Sequence, residues 1–375
     1  MKVLVTGAGG MLGQDVVAVA RRVGHDVVGF SHDELDITDP GKVEPTILRE
    51  RPSAVINCAA WTAVDDAEEN EHEASLVNAQ GAGFVADSAA KAGAKVVYVS
   101  TDYVFDGTKG SPYTESDEPN PVNAYGRTKL AGERATALVT KQSFIVRTAW
   151  LYGPQRENFV ETMLRLGEGG GPVVVVHDQI GCPTYTGHLA VGLVRLIDSS
   201  AFGVHHMAAE GSCSRYEWAM EIFRQSGVVT RVLASTSEMM SDRATRPGNT
   251  VLASGREAPI GLPHWQRGIA DYLARRGQPE TEEPPRRRGG GSRRQPVLEL
   301  RPKPEEPEAE EGATEPAEQP ADDEQPAEDE QPAEDEQPAE DEQPEATGEA
   351  EGQTAPGQSG EAAAPEEEAE RDSPD

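Results

Sequence analysis

The chain has 375 residues and a formal net charge of −32 at neutral pH, and this charge is unevenly distributed. Residues 301–375 hold 29 of the 66 acidic residues and three of the 34 basic ones, a net charge of −26. Residues 281–300 contribute +2, and residues 1–280 carry −8 together with all 19 aromatic residues and all three cysteines. A chain this acidic is a poor candidate for general nucleic-acid binding, which needs clustered Lys and Arg.

Cysteine usage and the amino terminus indicate the compartment. Cys58, Cys182 and Cys213 lie far apart without metal-type spacing, which fits a reducing compartment and no disulfide framework. No apolar run approaches the length of a membrane span, and Met1–Thr6 lacks the charged start and cleavage site of a signal peptide. We therefore expect a cytoplasmic protein that binds neither nucleic acid nor membrane.

The first 150 residues alternate short β-branched runs with longer helical stretches. Runs without polar alternation are typical of strands covered on both faces of a parallel sheet. They predict strands over Lys2–Thr6, Asp26–Phe30, Ala54–Asn57, Lys95–Ser100 and Ser143–Arg147. Asp39 followed by Pro40 is a typical helix start, and the helix continues to Glu50. This order predicts a doubly wound α/β domain of Rossmann type over residues 1–150.

After Arg147 the alternation becomes less regular. A glycine-rich turn at residues 169–172 precedes a predicted strand over Val173–Val176. Helices are predicted over Gly187–Ile197, Arg215–Gln225 and His264–Arg275. We expect residues 151–276 to form a smaller α/β substrate lobe at the carboxyl edge of the sheet, with segments that can interleave with the first domain.

Residues 277–375 form a tail of different composition. Arg286–Arg294 is basic and glycine-rich, and Asp323–Pro344 repeats the unit Asp-Glu-Gln-Pro-Ala-Glu nearly four times. Without aromatic residues such a segment cannot bury enough surface to offset the entropy lost on ordering. We expect a disordered acidic tail, which is either a solvating appendage or an interaction arm for an unidentified partner.

A glycine loop follows the first predicted strand, where Thr6-Gly7-Ala8-Gly9-Gly10-Met11-Leu12-Gly13 leads into a helix. Gly7 permits a tight turn, Gly10 lets backbone amides approach a pyrophosphate, and Gly13 allows the helix to pack closely on the strand. The amino terminus of the helix then attracts the phosphate charge. Because a strand precedes the loop and a helix follows it, the loop, Met11 and Leu12 included, predicts dinucleotide binding.

The type of cofactor depends on the end of the second strand. NAD-selective sites place a carboxylate there, but this strand is followed by Ser31 and His32, with no acid before Asp33. No arginine is present for an extra phosphate either. The sequence therefore favours NADPH and leaves NADH open. Further cofactor contacts are expected after the second and third strands, from Asp36, Ile37, Ala59, Ala60 and Thr62.

Tyr125 and Lys129 lie four residues apart, which on a helix places both on one face. A nearby ammonium favours the phenolate and lowers the pKa of the tyrosine, so Tyr125 can exchange a proton with a substrate oxygen. Thr101, at the end of the fourth predicted strand, is suited to hydrogen-bond a carbonyl that is being reduced. The pair has an alternative interpretation as an exposed helix pair, and Thr101 as a capping hydroxyl.

The sequence resembles an extended short-chain dehydrogenase/reductase and, within that superfamily, the dTDP-4-dehydrorhamnose reductase family. The matching stretches are the glycine loop, Thr62–Glu68, Ser100–Gly107, Tyr125–Glu133, Arg147–Tyr152, Asn158–Phe159 and Asp178–Thr184. They extend to about residue 276 and leave the tail without a counterpart. The resemblance implies hydride transfer from NADPH or NADH to the 4-keto carbon of dTDP-4-dehydro-L-rhamnose. The product would be dTDP-L-rhamnose for cell-surface polysaccharides.

The resemblance also implies roles for individual residues. Tyr125 would donate the proton and also contact the cofactor, Lys129 would hold the nicotinamide ribose and tune Tyr125, and Thr101 would orient the keto oxygen. The family's sugar-nucleotide contacts fall on Val64, Thr101, Asp102, Tyr103 and Trp150. Trp150 has an alternative interpretation as a buried aromatic residue after the fifth strand.

Metal binding and dimerisation are a separate question. Some members of the family dimerise through a magnesium ion held by surface carboxylates, and Asp15 matches one of them. No convincing acidic partners follow Gly187, so we expect no metal site, while a homodimer stays open.

Two other functions stay open from the sequence. One is a non-catalytic, NADP-binding regulatory subunit of the same fold, although the presence of Thr101, Tyr125 and Lys129 argues against it. The other is a different NAD(P)-dependent sugar-nucleotide epimerase or reductase. A 4,6-dehydratase is disfavoured because Tyr103 occupies the position where that family has an acid/base carboxylate.

Overall fold

A computed structural model gives the structure of residues 1–154, 156–240 and 243–276. Its strands are β1 (Lys2–Thr6), β2 (Asp26–Phe30), β3 (Ala54–Asn57), β4 (Lys95–Thr101), β5 (Ser143–Thr148), β6 (Leu151–Tyr152), β7 (Val173–Val176), β8 (Ile180–Gly181), β9 (Thr184–Tyr185), β10 (Gly203–His206), β11 (Ala209–Glu210), β12 (Cys213–Ser214), β13 (Val232–Ser235) and β14 (Leu262–His264). The predicted tail over residues 277–375 lies outside the described residues.

The α-helices are α1 (Met11–Arg22), α2 (Pro40–Glu50), α3 (Val64–Glu69), α4 (Glu71–Ser75), α5 (Ala82–Lys91), α6 (Ala124–Val139), α7 (Phe159–Glu168), α8 (Thr186–Ile197), α9 (Arg215–Ser226) and α10 (Trp265–Arg275). A π-helical turn spans Leu76–Gly81, and 3-10 turns span Asp102–Val104 and Ser237–Met239. No helix in the described part of the chain is long and apolar enough to cross a membrane.

The central sheet is parallel and has the strand order β10-β5-β4-β3-β1-β2. One register row runs through Val5, Ile56, Val97 and Phe144, and all four side chains are fully buried. Burial on both faces explains why these strands are continuously apolar in the sequence. The five predicted strands of residues 1–150 are confirmed, with β4 and β5 each one residue longer than predicted.

The later part of the chain contributes to this sheet as well. Strand β10 pairs with β5, and α8 packs against α1 in the core around Val3 and Val5. A second core lies around Trp218 and Tyr152, where α7, α9 and α10 meet the short strands β7 and β13. Residues after 151 therefore complete the Rossmann layer and also build a separate cluster.

The position of the site follows from the strand order. β1 is flanked by β2 on one side and β3 on the other, so the direction of winding reverses between β1 and β3. In open α/β sheets ligands bind at such a switch point, outside the carboxyl ends of the strands. Thr101 is the last residue of β4, and the glycine loop, Ala59 and Trp150 follow β1, β3 and β5 at this edge.

Candidate functional site

The glycine loop joins β1 to α1 in a conformation that requires its glycines. Gly7 has a φ of +66°, and a Cβ there would lie 2.6 Å from the backbone nitrogen of Ala59. A Cβ on Gly13 would overlap the carbonyl oxygen of Gly7. These are the tight turn and the close packing that the sequence predicts, and together they hold the loop against the end of β3.

The amino end of α1 fits a phosphate group. Its N-cap residue is Gly10, which has no side chain to cap the helix, and the first turn contains no acidic residue. The first amides of a helix, here those of Met11, Leu12 and Gly13, have no acceptor within the helix and attract anions. Arg156 donates to the carbonyl of Gly9 at 3.1 Å and adds a positive charge. No motif in the sequence singles out Arg156, because the contact joins positions 147 residues apart.

The end of β2 carries an acid that the sequence does not predict. Glu34 Oε2 accepts hydrogen bonds from the Ser31 backbone nitrogen at 2.9 Å and from Ser31 Oγ at 3.0 Å. Carboxylates at this point of a Rossmann fold bind the adenosine ribose in NAD-selective sites. The turn after β2 thus brings Glu34 back to the strand end, where the sequence shows only Ser31 and His32.

The other predicted cofactor residues differ in how much of the side chain is accessible to a cofactor. Hydrogen bonds from the backbone and hydroxyl of Thr38, at 2.9 and 2.8 Å, lower the pKa of the Asp36 carboxyl. Ile37 is buried in the core beside α2 and leaves only its backbone for a cofactor. Ala59 and Ala60 are half-buried, and Thr62 is exposed.

Tyr125 and Lys129 lie on α6. Asn123 caps the start of this helix, because its side-chain oxygen accepts a hydrogen bond from the Gly126 backbone nitrogen at 2.8 Å. Lys129 is buried, and its Nζ donates to the carbonyl of Val99 at 2.6 Å. The same ammonium lies 4.2 Å from the centroid of the Tyr98 ring. Burial lowers the pKa of Lys129 to about 7, and the charge of Glu133 acts in the opposite direction.

The pKa of Tyr125 is raised, and the predicted lowering by Lys129 is wrong for this arrangement. Burial causes the rise because it disfavours the phenolate, and a hydrogen bond with Thr101 opposes it. The Lys129 ammonium is directed at Val99 and Tyr98 instead of the phenol. Tyr125 packs edge-on against Tyr103 with the ring centroids 5.9 Å apart. The phenol is therefore held in its protonated form, which is the form that a proton donor needs.

Thr101 and Asp102 belong to one buried hydrogen-bond network. Thr101 Oγ1 donates to Asp102 Oδ1 at 3.1 Å and accepts from the Tyr103 backbone nitrogen at 3.2 Å. Asp102 Oδ2 accepts from Thr250 Oγ1 at 2.5 Å. Burial raises the pKa of Asp102 to about 6 in spite of these bonds. The fold thus brings the predicted residues Thr101, Asp102, Tyr103 and Tyr125 together and adds Thr250, which no motif singles out.

Trp150 follows β5 with a φ of +47°, a conformation that is rare for a bulky residue. The guanidinium of Arg215 lies 3.7 Å from its ring centroid, and Trp218 stacks at a centroid distance of 5.6 Å. Trp150 is therefore both a packed aromatic residue and a residue at the carboxyl edge of the sheet. Val64 begins α3 and is half-buried, and α3 contacts α6 through Glu68, which accepts from the Ala124 backbone at 2.8 Å.

Asp15 is a buried residue of α1 and not a surface carboxylate. It accepts hydrogen bonds from Thr186 Oγ1 at 2.6 Å and from Arg275 Nη1 at 2.5 Å. Asp15 therefore joins α1 to α8 and α10. Across residues 1–154, 156–240 and 243–276, no group of three or more His, Cys, Asp or Glu side chains is arranged to hold a metal ion.

The chain matches the family model described as the RmlD substrate binding domain over residues 1–277. The spore coat polysaccharide biosynthesis protein SpsK of Bacillus subtilis is 40% identical over 277 residues, which are 73% of this chain and 98% of that protein. A dTDP-4-keto-6-deoxy-D-glucose reductase of Streptomyces niveus is 43% identical over 271 residues, 71% of this chain and 94% of that protein. A dTDP-4-dehydrorhamnose reductase of Mycobacterium tuberculosis is 42% identical over 283 residues, 73% of this chain and 92% of that protein.

Two solved structures of dTDP-4-dehydrorhamnose reductases share this fold. The protein from Clostridium acetobutylicum has a TM-score of 0.71 and 40% identity, covering 73% of this chain and 99% of that chain. The protein from Bacillus anthracis, solved in complex with NADP, has a TM-score of 0.71 and 38% identity, covering 73% of this chain and 98% of that chain. Both similarities cover nearly the whole of the solved proteins.

Proposed function

The chain belongs to the dTDP-4-dehydrorhamnose reductase family, and we propose that it reduces the 4-keto group of dTDP-4-dehydro-L-rhamnose with NADPH to give dTDP-L-rhamnose. It is an NAD(P)H-dependent oxidoreductase of the extended short-chain dehydrogenase/reductase type. The observation that carries the proposal is the cluster of Thr101, Asp102, Tyr103 and Tyr125 at the carboxyl end of β4. This cluster lies at the same sheet edge as the glycine loop.

The glycine loop and the start of α1 would hold the cofactor diphosphate, since Gly7, Gly10 and Gly13 keep the amides of Met11 and Leu12 open to an anion. When bound, NADPH supplies a hydride to the keto carbon. NADPH is the preferred form in this proposal because the Bacillus anthracis relative was solved with NADP, and NADH is the second form to compare because Glu34 lies where NAD-selective sites have a carboxylate. Asp36, Ile37, Ala59, Ala60 and Thr62 would line the remainder of the cofactor site.

Tyr125 supplies the proton that reduction places on the substrate oxygen. Burial keeps its phenol protonated until the oxygen develops negative charge and becomes the stronger base. The phenolate that results needs a nearby positive charge, and Lys129 carries one on the same face of α6. Burial lowers the pKa of Lys129 to about 7. Its protonation state is therefore sensitive to whatever binds beside it.

Thr101 orients the substrate oxygen in this mechanism. Its hydroxyl donates to Asp102 Oδ1 and also interacts with the Tyr125 phenol. To donate to the keto oxygen, the Thr101 hydroxyl rotates away from Asp102, which keeps its second bond to Thr250. Val64, Tyr103 and Trp150 would form the wall that contacts the sugar nucleotide. The free cysteines Cys58, Cys182 and Cys213 fit a reducing compartment, and we place the enzyme in the cytoplasm.

The test is turnover by the purified protein. NADPH and dTDP-4-dehydro-L-rhamnose are expected to give dTDP-L-rhamnose with one NADPH oxidised per product. Tyr125→Phe should lower kcat/KM by about 10²- to 10⁴-fold while leaving NADPH binding largely intact. Tyr216→Phe, a substitution on α9, is the matched control and should turn over like the wild type. Absence of NADPH oxidation by the wild type would refute the reductase function and favour the regulatory subunit.

A second substrate belongs in the same assay because the Streptomyces niveus relative is named as a dTDP-4-keto-6-deoxy-D-glucose reductase. This relative and the Mycobacterium tuberculosis dTDP-4-dehydrorhamnose reductase are similarly identical to this chain, at 43% and 42%, so sequence identity does not favour one substrate over the other. Faster turnover of dTDP-4-keto-6-deoxy-D-glucose would assign that sugar instead. Epimerisation without net NADPH oxidation would indicate the epimerase alternative.

A further inference from the structure

Arg215, the first residue of α9, places its guanidinium among aromatic rings at the edge of the site. The guanidinium carbon lies 3.7 Å from the centroid of Trp150, 5.2 Å from that of Phe159 and 5.5 Å from that of Trp218. A guanidinium is suited to such an environment because it is planar, weakly hydrated and stacks on aromatic faces. The short distance to Trp150 holds the guanidinium against the face of that ring.

The charge of Arg215 is not neutralised within the described residues. No carboxylate of that part of the chain bonds to its guanidinium, although Tyr103 and Asp102 both favour its charged form and hold up its pKa against desolvation. Asp102 itself is committed to Thr101 and Thr250. Desolvation opposes the charged form of Arg215, and Tyr103 and Asp102 favour it. A desolvated cation without a counter-ion is costly, so the site is arranged for an anion that arrives with a ligand.

Arg246 provides the contrast. It also acts on Tyr103 and Arg215, but its guanidinium binds Asp65 through two parallel bonds of 2.6 and 2.7 Å. The charge of Arg246 is thus matched by a carboxylate of the same protein. Arg215, in contrast, has no carboxylate partner among the described residues, so its charge is available to a ligand.

We propose that Arg215 binds the diphosphate of the sugar nucleotide and thereby positions the nucleotide half of the substrate. The inference rests on the proposed function, whose substrate joins a sugar to a nucleoside diphosphate. The planar fork of a guanidinium matches two phosphate oxygens, and the stacking on Trp150 places this fork beside the wall assigned to the sugar nucleotide. Since the guanidinium occupies one face of Trp150, the sugar does not stack on that face.

The experiment measures the binding of dTDP and of thymidine to the NADPH-saturated protein by calorimetry. Arg215→Gln is expected to weaken dTDP binding by about 10- to 100-fold, because it removes hydrogen bonds to a charged group. Thymidine has no phosphate, so its affinity should be unchanged. Arg215→Lys keeps the charge but not the fork and should give an intermediate loss for dTDP.

Arg224→Gln is the matched control, since Arg224 lies on the same helix, is exposed, and pairs with Glu221 at 2.6 Å. It should bind dTDP like the wild type. In turnover assays Arg215→Gln should raise KM for the sugar nucleotide by the same factor that it lowers dTDP affinity, and kcat should change by less than about threefold.

The outcomes separate this inference from the proposed function. Unchanged dTDP affinity in Arg215→Gln, or an equal loss for dTDP and thymidine, would show that Arg215 only packs against Trp150. If Arg215→Gln does not fold, Arg215→Lys carries the same test, and dTDP binding equal to that of the wild type would overturn the proposal. A wild type that binds dTDP through Arg215 but oxidises no NADPH would refute the reductase function and leave the diphosphate site standing.

Discussion

Lys129 and Glu133 lie one helical turn apart on the buried side of α6, and the charge of Glu133 acts on the pKa of Lys129. Burial lowers the pKa of Lys129, and Glu133 counteracts this effect. Glu133 also accepts hydrogen bonds from Ser100 Oγ at 2.5 Å and from Arg147 at 2.9 and 2.7 Å. One buried carboxylate therefore compensates the charge of Arg147 on β5 and supports the charge of Lys129 on α6.

Glu133→Gln should destabilise the fold more than an ordinary loss of an ion pair. The substitution leaves Arg147, which is 4% exposed, without its counter-charge, and breaking a buried pair in this way costs about 3 to 5 kcal/mol. The free energy of unfolding from urea denaturation at pH 7 measures this loss. Glu71→Gln is the control: its partner Arg127 lies 2.7 Å away, but both side chains are nearly half exposed, so the loss should stay below about 1 kcal/mol. Equal losses for the two variants would contradict the role of the buried cluster.

Asp102→Asn should change the pH dependence of stability. Burial raises the pKa of the Asp102 carboxyl from 3.8 to about 6, so its ionisation is less favourable in the folded state than in the unfolded state. Its contribution to stability is therefore fully present below pH 3.8 and is lost as the pH rises through about 6. Asparagine does not ionise and avoids this loss. We expect the Tm of the variant minus that of the wild type to increase between pH 4.5 and pH 7.5. A difference that does not change with pH would mean that the Asp102 pKa is not raised.

Asp65→Asn should weaken the attachment of residues 243–246 to α3. Asp65 Oδ1 accepts from the backbone nitrogens of Arg243 and Ala244 at 3.1 and 3.0 Å, and the carboxylate also binds Arg246. Hydrogen bonds with Arg246 hold the pKa of the Asp65 carboxyl well below its ordinary value, so the stabilisation is present above that value and is lost as the pH falls through the folded pKa.

At pH 7 the Asp65→Asn variant should be less stable by about 1 to 3 kcal/mol, the range for a hydrogen bond to a charged group. KM for the sugar nucleotide should also rise, because Asp65 follows Val64 in the wall assigned to the substrate. Thermal denaturation at pH 7 and pH 3 measures the first effect, which should shrink at the lower pH. Glu69→Gln is the control, since its pair with Arg243 is exposed and contributes less than about 1 kcal/mol. A variant as stable as the wild type at pH 7 would contradict the role of Asp65.

The parts of the structure that depend on local pattern follow from the sequence. β1 to β5 are identifiable because strands buried on both faces consist of consecutive β-branched residues, and Tyr125 and Lys129 share a helix face because they are four residues apart. The glycine loop is identifiable for the same reason, since its function depends on three positions within seven residues.

Contacts between distant positions do not follow from the sequence. Thr250 bonds to Asp102 across 148 positions, and Arg156 reaches the glycine loop across 147. The Tyr125 pKa was predicted in the wrong direction for a related reason: spacing places an ammonium near the phenol, but only the fold shows the degree of burial and the turn of Lys129 towards Val99. Burial is a property of the packed chain, and in this site it outweighs the charge that the motif supplies.

Gly13→Ala tests whether the glycine loop is the cofactor site. A Cβ on Gly13 would overlap the carbonyl oxygen of Gly7 and crowd the Cα of Ala8, and backbone atoms cannot move aside as a flexible side chain can. The start of α1 must shift away from the turn at Gly7, so the amides of Met11 and Leu12 lose their alignment. We expect a loss of about 1 to 3 kcal/mol in the free energy of unfolding. The affinity for NADPH should fall by about tenfold or more.

Gly83→Ala is the matched control, because the same change is made in the helix α5 where space is available. A Cβ on Gly83 would lie 3.6 Å from the Cβ of Ala135, an ordinary van der Waals distance. Alanine favours the helix by about 1 kcal/mol over glycine, so this variant should be as stable as the wild type or more stable, with unchanged NADPH affinity. Fluorescence titration with NADPH measures both variants. If Gly13→Ala binds NADPH as tightly as Gly83→Ala does, the cofactor phosphates do not depend on the geometry of this loop, and the assignment of the loop is wrong.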